Sequence, residues 1–132
     1  MTDKPIPEIT PRNRDYFEGC ALGELRVRRC EACGARFRFA HGWCPECWSD
    51  RLGWERASGR ATVSHFTVVH QAPMAAYQQD CPYVLALVEL EEGVRMMTNI
   101  VGCDPEAVHV GMKVRAAFEP RGPVMLPVFA PE

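Results

Sequence analysis

Four cysteines in two pairs, Cys30-Glu31-Ala32-Cys33 and Cys44-Pro45-Glu46-Cys47, are the residues whose types and spacing best support chemistry. Two intervening residues let both thiolates of a pair turn inward from one tight loop. The ten-residue spacer, Gly34 to Trp43, returns the second loop opposite the first. Four thiolates then surround one ion tetrahedrally, the arrangement zinc takes in structural sites. The same sulfur cage accepts iron, so at this point both metals stand. With all four positions filled by protein, water and substrate have no place on the ion, and its role is structural.

The remaining nucleophiles and bases make no catalytic constellation. Cys20 lies at helical spacing from Tyr16 and reads as a small buried hydrophobe. Cys81 stands beside Asp80, whose negative charge disfavours a thiolate. Cys103 precedes a helical turn that could lower its pKa, but no basic neighbour accompanies it in sequence. His41 falls near the tip of the cysteine ribbon. His65 and His70 have an odd separation in one strand and so are expected on opposite faces, and His109 is expected at the surface. No paired carboxylates, Ser-His-Asp arrangement or glycine-rich phosphate loop is present, so no catalytic residue is expected.

The elements that must position these groups follow from periodicity. Residues 1–9, with Pro5 and Pro7, read as a flexible tail. Residues 10–23 read as a helix, with Thr10 as N-cap, Pro11 at its first position, Tyr16, Phe17, Cys20 and Ala21 on one face, and Gly23 at its end. So short a helix needs a dock for its aromatic face, either on its own domain or on a partner subunit. Residues 24–53 form the metal ribbon. Glu24 to Arg29 enters as a strand, Arg36 to Phe39 returns, and Trp43 and Trp48 supply apolar cover for the thiolates. Gly53-Trp54-Glu55 leads out of it.

Residues 54–132 change character. Ala61 to His70 is a β-branched run, Gln71 to Pro82 a long loop, and Tyr83 to Leu90 and Val94 to Val101 a hairpin turning at Glu91-Glu92-Gly93. Asp104-Pro105-Glu106-Ala107 caps a short helical turn that Gly111 closes. Lys113 to Glu119 and Met125 to Phe129 complete about five strands, and Met96 and Met97 should face opposite ways. The pattern is mainly β, with a C-terminal Greek-key barrel of the OB type.

Taken in order, these stretches resemble a known family. They are Tyr16-Phe17, Gly23-Glu24-Leu25, the two cysteine pairs, Ser58-Gly59-Arg60-Ala61-Thr62-Val63, Phe66-Thr67-Val68-Val69-His70 and Pro82-Tyr83. Val88-Glu89-Leu90-Glu91-Glu92-Gly93, Asn99-Ile100-Val101-Gly102, Gly111-Met112-Lys113-Val114 and Leu126-Pro127-Val128-Phe129 complete them. The family consists of an N-terminal helix, a rubredoxin-like zinc ribbon and an OB-fold, found with acyl-CoA enzymes of the thiolase superfamily. The chain departs from it at Phe39-Ala40-His41-Gly42, where many members carry a proline-rich turn.

The resemblance implies structural zinc and an accessory subunit rather than an enzyme acting alone. It also implies a hetero-oligomer with a thiolase-fold enzyme of (retro-)Claisen, acyl-transfer or aldol-cleavage chemistry, and contact with acyl-CoA. Some members work beside acyl-CoA hydratase-fold proteins instead. On that footing Arg28, Arg29, Arg36 and Arg38, with Arg26, make a basic patch able to meet the phosphates of CoA, or a solvated ribbon face. Tyr77 could cover an acyl chain, and Tyr16, Phe17, Trp43 and Trp48 are the candidate partner contacts.

Composition narrows the alternatives. The 132 residues carry a net charge of −2, which offers no global attraction to nucleic acid or an anionic membrane. The rival class, a nucleic-acid-binding ribbon and OB module, therefore lacks its electrostatic footprint. The first residues, MTDKPIPEIT, do not read as a secretory signal, and no apolar run approaches a membrane span. Reduced, metal-bound thiols point to a cytoplasmic setting.

Overall fold

The computed structural model describes residues 4–38 and 42–132. Phe39, Ala40 and His41, and with them the end of the expected return strand and the departure at the ribbon tip, lie outside the described residues.

The first helix, α1, spans Arg14–Ala21, shorter than its sequence pattern suggests. Thr10 and Pro11 instead belong to a preceding turn. In that turn the Thr10 amide donates to Asn13 Oδ1 at 2.7 Å, and Asn13 takes the N-cap position. The other end follows the reading. Gly23, at φ 78°, lets Glu24 N–H reach the Gly19 carbonyl at 2.7 Å and Gly23 N–H reach that of Cys20 at 3.1 Å. This pair of bonds satisfies two otherwise orphaned carbonyls at the helix end.

The ribbon is a three-stranded antiparallel sheet rather than two strands. Strands β1 (Arg26–Cys30), β2 (Arg36–Phe37) and β3 (Leu52–Arg56) lie in the order β2-β1-β3. The segment expected merely to lead out is thus a full strand, pairing with β1 from Arg26↔Arg56 to Cys30↔Leu52. Five strands then close a barrel in the order β4-β5-β6-β8-β7: β4 (Arg60–Val69), β5 (Tyr83–Leu90), β6 (Arg95–Ile100), β7 (Lys113–Arg121) and β8 (Val124–Pro131). A bulge between Val63 and His65 bends β4, so that it pairs with β7 at one end and with β5 over its length.

The loop between β4 and β5 is not irregular throughout, because it contains a one-turn helix, α2 (Ala75–Gln78). The turn after β6 is a 3₁₀ helix, Pro105–Ala107, whose Asp104 side chain accepts from Glu106 N at 2.9 Å. As expected, Met96 is buried and Met97 exposed.

One apolar core runs through the ribbon, the helix and the barrel. Tyr16, Phe17 and Cys20 of α1 and Leu25 and Val27 of the ribbon cluster with Val63, Val88, Leu90 and Phe129 of the barrel. α1 touches both β1 and β8, so it docks on its own chain. Tyr16 and Phe17 are only 2% and 8% exposed and offer no surface to a partner, which corrects their assignment as partner contacts. The N-terminal segment is likewise anchored where it is described. Lys4 pairs with Asp80, and Arg121 donates to the Pro5 carbonyl at 3.2 Å.

Candidate functional site

The two cysteine loops are copies of one knuckle. In the first, Cys30 N–H donates to Ala35 O and Gly34 N–H to Cys30 O; in the second, Cys44 N–H donates to Ser49 O and Trp48 N–H to Cys44 O. Each knuckle also aims an amide at its first sulfur, Cys33 N–H at Cys30 Sγ and Glu46 N–H at Cys44 Sγ, both at 3.4 Å. All four sulfurs lie within 4.8 Å of one another. Cys30 Sγ to Cys47 Sγ and Cys33 Sγ to Cys44 Sγ are each 3.6 Å, against an edge of roughly 3.8 Å for a tetrahedron with zinc–sulfur bonds of about 2.3 Å. The thiol set therefore fits a tetrahedral ion. Amide donation, led by that of Cys33, holds the Cys30 thiol down to about 6, so one ligand is ready as thiolate at neutral pH. Cys30 and Cys44 are buried, while Cys33 and Cys47 face outward.

The fifth position of each knuckle needs a left-handed backbone. Gly34 supplies it at φ 80°, but in the second knuckle the residue is Trp48, at φ 67°. Its indole stacks on that of Trp43, with ring centres 6.2 Å apart and planes within 5°. The two tryptophans are 43% and 74% exposed, so they cover each other at the surface rather than shielding the sulfurs. Aligning the two knuckles residue by residue would have exposed the anomaly at Trp48 from sequence.

The arginines do not converge on one patch. Cross-strand register places Arg28 with Phe37 and Trp54 on one face, and Arg29 with Arg36 on the other. Arg28 lies over the Trp54 ring at 4.5 Å. Arg36 grips Glu55 with two hydrogen bonds, of 2.6 and 3.1 Å, and Arg38 sits 5.7 Å from the centre of the Tyr16 ring. Burial raises the Tyr16 pKa, and the Arg38 charge opposes that rise. Arg29 is exposed.

The remaining candidates are dispersed. Cys20 is buried in the core, where desolvation pushes its pKa up to about 11, as befits packing and not nucleophilic chemistry. The Cys81 thiol donates to the Tyr77 carbonyl at 3.8 Å. His65 and His70 are both exposed, and His70 lies just beyond the end of β4. His41 is outside the described residues. Tyr77 lines a cavity of about 300 Å³ at one end of the barrel, beside Tyr83, Asn99, Cys103 and Arg121. Arg121 drew no attention in the sequence, where it reads as an ordinary strand-end residue.

Comparison with known proteins adds to this geometry. The family model described as "ChsH2, rubredoxin-like zinc ribbon domain" matches residues 17–53, and that described as "ChsH2, C-terminal OB-fold domain" matches residues 54–119. A "probable enoyl-CoA hydratase alpha subunit" of Thermomonospora curvata is 36% identical over 129 residues, covering 97% of this chain and 40% of that protein. A "DUF35 domain-containing scaffold protein" of Methanocaldococcus jannaschii is 41% identical over 91 residues, covering 68% of this chain and 64% of the relative. The chain thus spans less than two thirds of either relative's length. A chain of the solved structure described as "Ltp2-ChsH2(DUF35) aldolase" superposes with a TM-score of 0.83 at 37% identity, over 96% of this chain and 98% of that one. No helix among the described residues is long and apolar enough to cross a membrane.

Proposed function

The chain belongs to the DUF35 family of ChsH2-type zinc-ribbon and OB-fold proteins, and from that membership we propose that it is a non-catalytic accessory subunit of an acyl-CoA enzyme. The partner in this reading is a thiolase-superfamily enzyme of (retro-)Claisen, acyl-transfer or aldol-cleavage chemistry, which carries the catalytic residues. The observation that carries it is the near end-to-end likeness to a chain of the "Ltp2-ChsH2(DUF35) aldolase". The closed four-thiolate site supports it from the other side. A zinc bound there holds two knuckles together and leaves no coordination position for substrate.

The stacked Trp43 and Trp48 are the contact we assign to the partner, since exposed aromatic pairs are the residues interfaces favour. Arg29, exposed on the ribbon, and Tyr77 at the barrel end are the groups of this chain we assign to the acyl-CoA. Arg28, Arg36 and Arg38 serve its internal structure in this reading.

Co-expression with the thiolase-like enzyme encoded nearest to it tests the proposal. The two should co-purify in fixed ratio, and the enzyme should lose solubility or turnover without this chain. A partner that is fully active and unassociated alone would refute it. A second reading replaces the thiolase-like partner with an acyl-CoA hydratase subunit, and the likeness to the Thermomonospora protein favours it. Parallel co-expression with the neighbouring hydratase-fold protein separates the two.

A further inference from the structure

The four metal ligands differ in exposure in a regular way. The first cysteine of each pair, Cys30 and Cys44, is wholly buried, while the second, Cys33 and Cys47, is exposed. The close sulfur contacts run between the knuckles. Exposed Cys47 lies 3.6 Å from buried Cys30, and exposed Cys33 lies 3.6 Å from buried Cys44. Each contact thus joins a sulfur that solvent reaches to one that it does not. A hollow of about 560 Å³, lined in part by Arg29, Cys33, Gly34, Gly53 and Glu55, gives a small neutral oxidant a way to the first of the outward sulfurs.

In this arrangement a sulfur that is attacked has its resolving partner already beside it. Hydrogen peroxide meets an outward thiolate and its O–O bond breaks. One oxygen stays on sulfur as sulfenic acid, and the other leaves as hydroxide. The buried thiolate across the contact displaces the remaining oxygen as a second hydroxide, and an S–S bond forms. Two thiolates have then lost two electrons, and one peroxide has been reduced to two hydroxides. The other contact repeats the step with a second peroxide. A disulfide sulfur is no longer the thiolate that a metal needs, so the ion loses its ligands and leaves.

We propose that peroxide converts the metal site into two disulfides between the knuckles, Cys30–Cys47 and Cys33–Cys44, so that the ribbon exchanges its ion for covalent ties without opening. The two links are nested, joining positions 17 and 11 residues apart. They fasten the first knuckle to the second, as the ion does. Disulfides within the pairs, Cys30–Cys33 and Cys44–Cys47, would close only loops that their own hydrogen bonds already hold, and would leave the knuckles untied. The site is a reversible redox device, because a dithiol reductant and fresh metal restore the starting state. The other three cysteines take no part. Cys20 is buried in the core, and Cys81 and Cys103 stand in the loops before β5 and after β6.

The test uses the zinc-loaded full chain alone, so its outcome is independent of whichever enzyme the chain joins. Hydrogen peroxide is titrated in while released zinc is followed with a chromogenic chelator, and the product is denatured, alkylated and digested. Trypsin cuts after Arg29, Arg36, Arg38 and Arg51, which puts Cys30 and Cys33 on one peptide and Cys44 and Cys47 on another. Mass spectrometry should find the two peptides joined until they are reduced. A glutamyl endopeptidase, cutting after Glu31 and Glu46, should then leave Cys30 linked to Cys47 and Cys33 linked to Cys44. The oxidised, metal-free chain should melt at a higher temperature than the reduced chain stripped by a chelator, and dithiothreitol with zinc should restore the full metal content. Zinc that stays bound, separate peptides with internal disulfides, the opposite cross-pairing, sulfinic or sulfonic acids in place of disulfides, or a melting temperature no higher than that of the stripped chain would overturn the proposal.

Discussion

Trp48 occupies a backbone conformation that a side chain resists. At φ 67° its Cβ crowds the following carbonyl, a strain that Gly34 avoids at the same point of the other knuckle. The stack on Trp43 offsets part of that strain. Two substitutions separate the contributions. Trp48→Ala and Trp48→Gly both lose the stack, but only glycine relaxes at positive φ. The glycine variant should therefore be the more stable of the two by about 1 kcal/mol, read from denaturant midpoints at equal m-value. Equal stabilities would mean that the backbone there is not strained. The four ligands were legible from their spacing alone, because knuckle geometry is local and repeats. Arg121 was not legible, because the groups it binds, the Pro5 carbonyl and the Tyr77 hydroxyl, come from residues far from it in sequence.

Among the elements, α1 is the joint. Its aromatic face reaches β1 on one side and β8 on the other, so its anchors serve two sheets at once. Phe17→Ala should destabilise the chain by about 3 kcal/mol, the usual effect of emptying a buried aromatic site, as measured by urea unfolding. An effect under about 1 kcal/mol would place the helix outside the core. The ribbon sheet carries a pH-sensitive tie as well. Hydrogen bonds from Arg36 hold the Glu55 carboxyl below its ordinary range. Its contribution to stability is thus complete above the unfolded carboxylate pKa and is lost as pH falls through the folded value. Stability should therefore fall more steeply for the natural chain than for Glu55→Gln between roughly pH 5 and 3. Parallel curves would show the pair to be inert. The third ribbon strand was hidden in the sequence because Leu52–Arg56 is short, with only Leu52 and Trp54 apolar and Gly53 between them, and its partner β1 lies more than twenty residues earlier.

At the scale of the molecule, the ribbon and barrel were legible as separate modules but not as one body. Strand alternation and turn residues mark each strand of the barrel. The core that fuses it to the ribbon, in which Leu25 and Val27 share one cluster with Val88 and Leu90, joins residues too distant in sequence for any period to reveal. The fusion continues through the backbone, where Ala57 N–H donates to the Leu25 carbonyl at 2.7 Å at the passage from β3 to β4. Metal removal should therefore weaken the whole chain. After chelation, calorimetry should show a single transition at lower temperature, since the ion's binding energy supports one cooperative unit. Two separated transitions, with the barrel's unchanged, would contradict a shared core. The paired indoles give that unit an optical voice. Trp43 and Trp48 bracket the second cysteine pair and lie within 5° of parallel across its closed knuckle, whereas Trp54 is held apart under Arg28. The molecule's own ultraviolet emission thereby becomes a label-free gauge of that knuckle, sensitive to the arrival of the ion and to anything that settles on the two rings.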